Sequence, residues 1–243
     1  MRLKLEEPKK LGKAIEIVSE LVTEVRIKLS DFGLSITAMD PANVAMISFK
    51  IPKSAFSEFE AGEEVLGVNL DDLKKILKRA GTKSTLILEK TQDSNKLEIN
   101  IQDRIKRNFT LMLIEIDSED KEMPQLEFAA SVELKSEDLI ESIEDASVVA
   151  DACSFQVSEN NFIIESKGMN SARSEFSGDE AQIEAENCKS RYSLEYLEKF
   201  MKAAKITDKT RIKFANDHPL KLEFRTEHLV LDFILAPRIE TEE

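Results

Sequence analysis

The sequence predicts an α+β protein built from two similar domains, each with helices laid on antiparallel sheets. Two observations carry the class. Short segments with apolar residues at every second position run along the whole chain, and only four segments carry apolar residues at helical spacing. A third observation carries the duplication: the order of helices and strands is written twice, at an offset of about 125 residues, half the chain.

The strands are read from alternation. Val25, Ile27 and Leu29 alternate first, then Ala45, Ile47, Phe49 and Ile51 before Pro52. Leu97, Ile99 and Ile101 follow, then Phe109, Leu111 and Leu113. In the second half the pattern returns at Phe155/Val157, Ile212/Phe214, Leu222/Phe224 and Leu229/Leu231/Phe233/Leu235. Alternation of this kind buries one face of a sheet and leaves the other wet.

The four helical segments each have a start or stop signal. Pro8–Val22 opens with a proline suited to the first turn. Leu70–Ala80 has Asp71 and Asp72 at its positive end and Gly81 as its expected stop. Glu137–Val149 follows Ser136, and Leu194–Ala204 follows Ser193, both candidate N-caps. The repeat pairs "SDFGLSI" from Ser30 with "SENNFII" from Ser158, and "LDDLKKIL" from Leu70 with "LEYLEKFM" from Leu194. It also pairs "TLILEK" from Thr85 with "RIKFAN" from Arg211. The acidic stretch "DSEDKEMPQLE" has no clear period and contains Pro124, so it reads as a connector. The expected division is 1–116, a linker at 117–127, and 128–243.

Composition excludes several function classes. There is no GxGxxG or Walker A loop for a nucleotide phosphate. Two histidines supply a catalytic triad or a histidine metal site poorly, and Cys153 and Cys188 fit no zinc spacing, reading as reduced core residues. No cofactor, no metal and no catalytic residue is expected. No apolar run approaches the roughly 18–20 residues of a bilayer helix, and "MRLKLEEPKK" holds no apolar signal core. An intracellular protein without a membrane partner is expected.

The charge distribution is the informative part. The chain has 47 acidic and 34 basic residues, a net charge of −13. Yet Lys74, Lys75, Lys78 and Arg79 share one arc of the second helix, opposite Leu70, Leu73, Ile76, Leu77 and Ala80. Lys9, Lys10 and Lys13 form a similar arc on the first helix, and Lys199, Lys202 and Lys205 share a face of the fourth. One charged helix face is ordinarily just solvated. Three in so acidic a chain suggest sequence-independent contact with a phosphate backbone, and no aromatics interleave them to stack on bases. Double-stranded DNA is the expected ligand. The third helix differs: Glu137, Asp138, Glu141, Glu144 and Asp145 make an acidic face. Glu141, Glu144 and Asp145 are expected to pair with Arg79, Lys83 and Arg107 of another copy, a head-to-tail contact that can close a ring.

The segments "DFGLSITAMDPANVAMISFKIP", "GVNLDDLKKILKRA" and "LDFILAPRIE" resemble the proliferating cell nuclear antigen (PCNA) family of DNA sliding clamps, in its archaeal form, over essentially the whole length. The resemblance implies a DNA-clamp fold in a homotrimeric, six-domain ring with helices lining the hole. It implies a processivity factor for replication and repair without catalytic activity, opened by an ATP-driven loader. The lysine and arginine helices named above would then face DNA. Replicative DNA polymerase, clamp loader, flap endonuclease and DNA ligase would dock short apolar motifs in a pocket under the linker. The matching positions are Met39, Asn43, Val44, Met123, Pro124, Pro219, Ile234, Ala236 and Pro237; on the residues alone, Met39 and Ile234 read as core. The location implied is the cytoplasm of an archaeal-type cell, near the nucleoid, or a nucleus in a eukaryote. Two alternatives stand beside this reading. One is a subunit of a mixed clamp or a scaffold that binds no DNA. The other is an enzyme using Asp71 and Asp72 for Mg²⁺ or acid–base chemistry, although helix N-terminal charge explains those residues better.

Overall fold

A computed structural model describes residues 1–117 and 120–239. The chain forms two compact units. The first holds Met1–Pro41, Ile47–Met123 and Glu227–Val230; the second holds Ala42–Met46, Pro124–Thr226 and the chain from Leu231 onward.

The first half runs β1 (Arg2–Leu5), α1 (Pro8–Val18), β2 (Glu24–Ser30), β3 (Gly33–Met39), β4 (Ala45–Pro52), β5 (Glu58–Glu60), β6 (Glu64–Asn69), α2 (Leu70–Leu77), β7 (Thr85–Glu89), β8 (Lys96–Gln102) and β9 (Lys106–Met112). The second half runs β10 (Ala130–Lys135), α3 (Ser136–Ser147), β11 (Ala152–Ser158), β12 (Asn161–Lys167), β13 (Ser171–Phe176), β14 (Ala181–Ala185), β15 (Cys188–Ser193), α4 (Leu194–Ala204), β16 (Lys209–Phe214), β17 (Leu220–Thr226) and β18 (Leu229–Leu235). Element for element the two lists match. The strand orders within each unit match as well: β5–β1–β7–β8–β9 and β4–β3–β2–β6 in the first, β14–β10–β16–β17–β18 and β13–β12–β11–β15 in the second. The strand pairings among the described residues are antiparallel, for example Leu86↔Ile101 and Phe155↔Ile164. The α+β class and the duplicated order read from the sequence are those of the structure.

In each unit two helices pack side by side, α1 with α2 and α3 with α4. Their apolar stripes turn inward: Leu11, Ile15 and Val18 on α1, Leu73 and Leu77 on α2, Leu139 and Ile143 on α3, Leu197 and Phe200 on α4. The cores differ in material. That of the first unit is mainly aliphatic, with Phe49 as its fully buried aromatic; that of the second is built on Phe155, Phe162, Tyr192, Phe200, Phe214, Phe224 and Phe233. Phe200 stacks on Phe233 with ring centroids 4.4 Å apart, and Phe155 meets Phe162 and Tyr192 edge-on at 5.6 and 5.5 Å. Such pairs add about 0.5–1.5 kcal/mol each beyond area burial.

Helix ends depart from the sequence expectation. α1 stops at Val18, where the Ser19 hydroxyl donates to the Glu16 carbonyl at 2.7 Å. Leu21 and Val22 stay buried in the following turn, so the apolar pattern ran past the helix. α2 stops at Leu77, and its N-cap is Asn69, whose side chain accepts from the Asp72 N–H at 3.2 Å. Gly81 does not close it through a left-handed residue: Gly33 is the one described glycine at positive φ, and the Gly81 N–H donates to Ser84 Oγ. α3 begins at Ser136 itself and ends at Ser147. The Ser136 hydroxyl is turned to Thr207 and Thr210 at 3.2 and 2.9 Å, so it caps nothing. Ser193 does precede α4 but makes no side-chain cap bond. β9 ends at Met112, with Leu113 already in the following segment.

Candidate nucleic-acid interface

α1 and α2 cross at Gly12, where a Cβ would lie 3.7 Å from Leu77 Cβ, an ordinary contact distance. The apolar faces of both helices are buried, so their lysines are left on the outer side. Lys9, Lys10, Lys13, Lys75, Lys78 and Arg79 are exposed; Lys74 is half-buried. Partners divide these cations. Lys10 meets Glu7 at 2.5 Å, and its ammonium holds the Glu7 carboxyl below the usual range. Lys74 meets Asp71 at 3.0 Å and donates to Ser19 Oγ at 3.0 Å, tying α2 to the end of α1. Lys75 meets Asp72 at 3.1 Å, and Lys78 reaches Glu16 of α1 at 3.3 Å. Lys9, Lys13 and the Arg79 side chain have no ion pair among the described residues. Surface pairs of this sort are worth little and yield readily to a stronger anion. Asp71 and Asp72 are thus occupied by their own helix's lysines.

On α4, Lys199 meets Glu195 at 2.9 Å and lies 5.0 Å from the centre of the Tyr196 ring; its hydrogen bond lowers the Glu195 pKa. Lys202 and Lys205 are exposed. On α3, Glu137, Asp138, Glu141, Glu144 and Asp145 have no ion pair among the described residues. Asp138, Glu141 and Asp145 line a cleft of ≈ 500 Å³ with Asn161, Glu175 and Glu180, beside the edge strand β13; Glu144 lies outside it.

At the opposite kind of edge, β9, Arg107 donates to the Arg79 carbonyl at 2.8 Å and is clamped to Asp103. Asp103 also accepts from the Ile105 N–H and from Ser84 Oγ, and these bonds lower its pKa. Arg79 and Arg107 are therefore brought together, with Lys83 exposed on the connecting turn.

The pocket residues named from the sequence fall in both units. In the first, Met39 ends β3 and Met123 lies on the connector, both half-buried. In the second, Asn43 sits at φ 56° and Val44 accepts from the Ala236 N–H at 2.9 Å. Ile234 is nearly buried, Pro237 and Pro219 are half-buried, and Pro124 is exposed. The turn before Pro219 is held by Tyr192, whose hydroxyl donates to the His218 carbonyl at 2.8 Å. Burial pushes the Tyr192 pKa up.

One anchoring device was not read from the sequence. The segment after β9 is pinned to the first unit: the Ile114 N–H donates to the Gly67 carbonyl at 3.0 Å, and Asp120 meets Lys28 at 2.8 Å and Arg26 at 3.3 Å. A Cβ on Gly67 would stand 2.0 Å from the Ile114 carbonyl oxygen, so only glycine admits this path. A glycine inside a strand pattern is the signal that could have found it.

Two family models match the chain: the N-terminal domain of proliferating cell nuclear antigen over residues 1–120 and its C-terminal domain over 122–239. The DNA polymerase sliding clamp of Pyrococcus horikoshii is 38% identical, covering 97% of both chains, and that of Methanococcus maripaludis is 33% identical, covering 94% and 95%. Among solved structures, proliferating cellular nuclear antigen from Entamoeba histolytica superposes with a TM-score of 0.92 at 27% identity, covering 98% of each chain. A chain of the PCNA2–PCNA3 complex from Sulfolobus tokodaii gives 0.88 at 26% identity, covering 99% of this chain and 100% of that one. Fold, length and duplicated order define a DNA polymerase sliding clamp, a processivity factor and not an enzyme. The chain belongs to the proliferating cell nuclear antigen family.

Proposed function

We propose that three copies of this chain close into a ring around duplex DNA, with residues 1–116 and 128–243 as its domains and 117–127 as the connector. Lys9, Lys10, Lys13, Lys74, Lys75, Lys78, Arg79, Lys199, Lys202 and Lys205 face the phosphates. One observation carries the reading: an exposed lysine–arginine face on the α1–α2 pair of a chain with net charge −13. Contacts of this kind are weak and salt-sensitive, which lets a linked ring slide.

The copies join through Arg79, Lys83 and Arg107 on the β9 side and Glu141, Glu144 and Asp145 on the α3–β13 side. Supporting this, Arg107 is already held against Arg79, and Glu141 and Asp145 line an acidic cleft beside an edge strand. Replicative polymerase, clamp loader, flap endonuclease and ligase dock apolar motifs around Met39, Asn43, Val44, Met123, Pro124, Pro219, Ile234, Ala236 and Pro237. The archaeal relatives support a cytoplasmic, nucleoid-associated site of action.

The test is primer extension on a singly primed circle with the cell's own replicative polymerase and loader. Long products should appear only when this chain is present. Product lengths that do not respond to it would refute the reading. A second reading, a subunit of a mixed ring, is favoured by the likeness to a chain of the PCNA2–PCNA3 complex; it predicts that the purified chain alone stays short of three copies.

A further inference from the structure

The two helix pairs are built alike and charged oppositely. Aligned from their first residues, Pro8 and Ser136, α1 and α3 place Lys9 against Glu137, Lys10 against Asp138 and Lys13 against Glu141. Counting each helix with the turn residues that end it, α1 and α2 expose six cations and two carboxylates. On the same count α3 and α4 expose six carboxylates and two cations. The outward ridge of α3 is Glu137, Glu141, Glu144 and Val148, spaced at one helical face; Val148 is 83% exposed. None of the three glutamates has an ion pair among the described residues, so their charge is not cancelled within the chain. The cations of α1 and α2, in contrast, have either no carboxylate partner or an exposed, exchangeable one.

Carboxylates cannot accept a phosphate's counter-charge; near the duplex they repel it and retain their own counterions. From this we infer that the duplex is held on the α1–α2 pair, with Lys202 and Lys205 assisting, and that the α3 ridge is a repulsive gap that limits how tightly DNA is held, carried by Glu137 where Glu141 and Glu144 are engaged by a neighbouring copy. The inference rests on the clamp reading above and adds to it which helices bind the duplex and which oppose binding. Its physical use is to keep attraction to the backbone shallow. A surface basic all round would neutralise more phosphates, raise affinity at low salt, and steepen the fall of log K with log salt by about 0.9 per phosphate.

The experiment is a NaCl titration of the fluorescence anisotropy of a short, labelled, blunt DNA duplex. It compares wild-type protein with E137K/E144K, E137K and K75E/K78E, with the mass of each followed by light scattering. E137K/E144K should bind about tenfold more tightly at low salt and steepen the slope by about 1–2; K75E/K78E should bind about tenfold more weakly. E137K alone, outside the acidic cleft and outside the proposed subunit contact, should move affinity in the same direction and keeps the test valid where E137K/E144K alters the mass. If the glutamate variants leave affinity and slope unchanged while K75E/K78E weakens binding, the repulsive gap is refuted and the DNA-facing helices stand. If none of the variants alters binding, the DNA-facing assignment falls and this inference with it.

Discussion

The two units share a fold to the level of single elements, and they differ in core material, turn chemistry and surface charge. The hairpin between β2 and β3 turns through Asp31 and Phe32 and places Gly33 at φ 130°. Its counterpart between β11 and β12 turns through Glu159 and Asn160, both at positive φ, 51° and 63°. The same strand pairing is thus closed by two different backbones, one relying on a glycine and the other on two strained L residues. The helix pairs teach a similar lesson: inward apolar spacing is what the fold demands, and the outward positions are free to take either sign of charge.

The hairpin contrast gives the largest expected effect. At Gly33 a Cβ would stand 2.2 Å from the Ile51 carbonyl oxygen and 2.6 Å from the Lys53 nitrogen, in a conformation L residues rarely adopt. Gly33→Ala should cost about 3–4 kcal/mol of stability in urea unfolding. A loss below about 1 kcal/mol would show that the turn relaxes and that the two hairpins are not distinct in kind.

Ion pairing on the sheets differs next. Glu223 on β17 is 7% exposed and meets Lys221 at 2.8 Å and Lys213 at 3.2 Å. Burial raises its pKa, but those lysines and Arg225 outweigh burial and the net shift is downward. A depressed folded pKa means that the charged form is stabilised in the fold. That stability is present above the ordinary value of 4.5 and is lost as pH falls through the lower folded value. Glu223→Gln should therefore cost about 2 kcal/mol near neutral pH, with the difference from wild type shrinking below the ordinary glutamate range. A pH-independent difference would mean that packing, and not charge, is what the residue supplies. In the first unit Glu58 meets Arg2 at 2.9 Å with both side chains partly exposed, and Glu58→Gln should leave stability nearly unchanged.

The smallest effects lie at glycine and its opposite. Gly12→Ala should raise stability by about 0.5–1 kcal/mol, since a methyl would meet Leu77 at ordinary contact distance and a helix interior favours alanine. Glu159→Gly should also stabilise, by about 0.5–1 kcal/mol, by relieving a left-handed L residue. Calorimetry on the pair decides both signs. Destabilisation by Gly12→Ala would mean that α1 and α2 have no slack at their crossing.

Alternation and helical spacing made the strand order, the four helices and their repetition legible, because both periods are imposed by burial itself. What stayed hidden depends on residues distant in sequence. The pairing of Lys78 with Glu16, the hold of Arg107 on the Arg79 carbonyl and the anchoring of Asp120 by Arg26 and Lys28 have no local signal. Helix ends failed for a different reason: Leu21, Val22 and Ala80 are buried in turns, so hydrophobicity does not mark where the hydrogen-bond ladder stops. At the start of α2 the acids carry the stronger sequence signal, while the cap itself is the Asn69 amide before them. The opposed charge of α1 and α3 was visible in the letters, but its position-by-position character needed the two helix starts.

The most direct test of the account is the mass of the purified chain by light scattering across micromolar concentrations and rising salt. The chain is 27.5 kDa. The account predicts a mass of three chains, closed by head-to-tail contacts, that falls as salt screens the charged edges. A stable single-chain mass at micromolar concentration and low salt would contradict it.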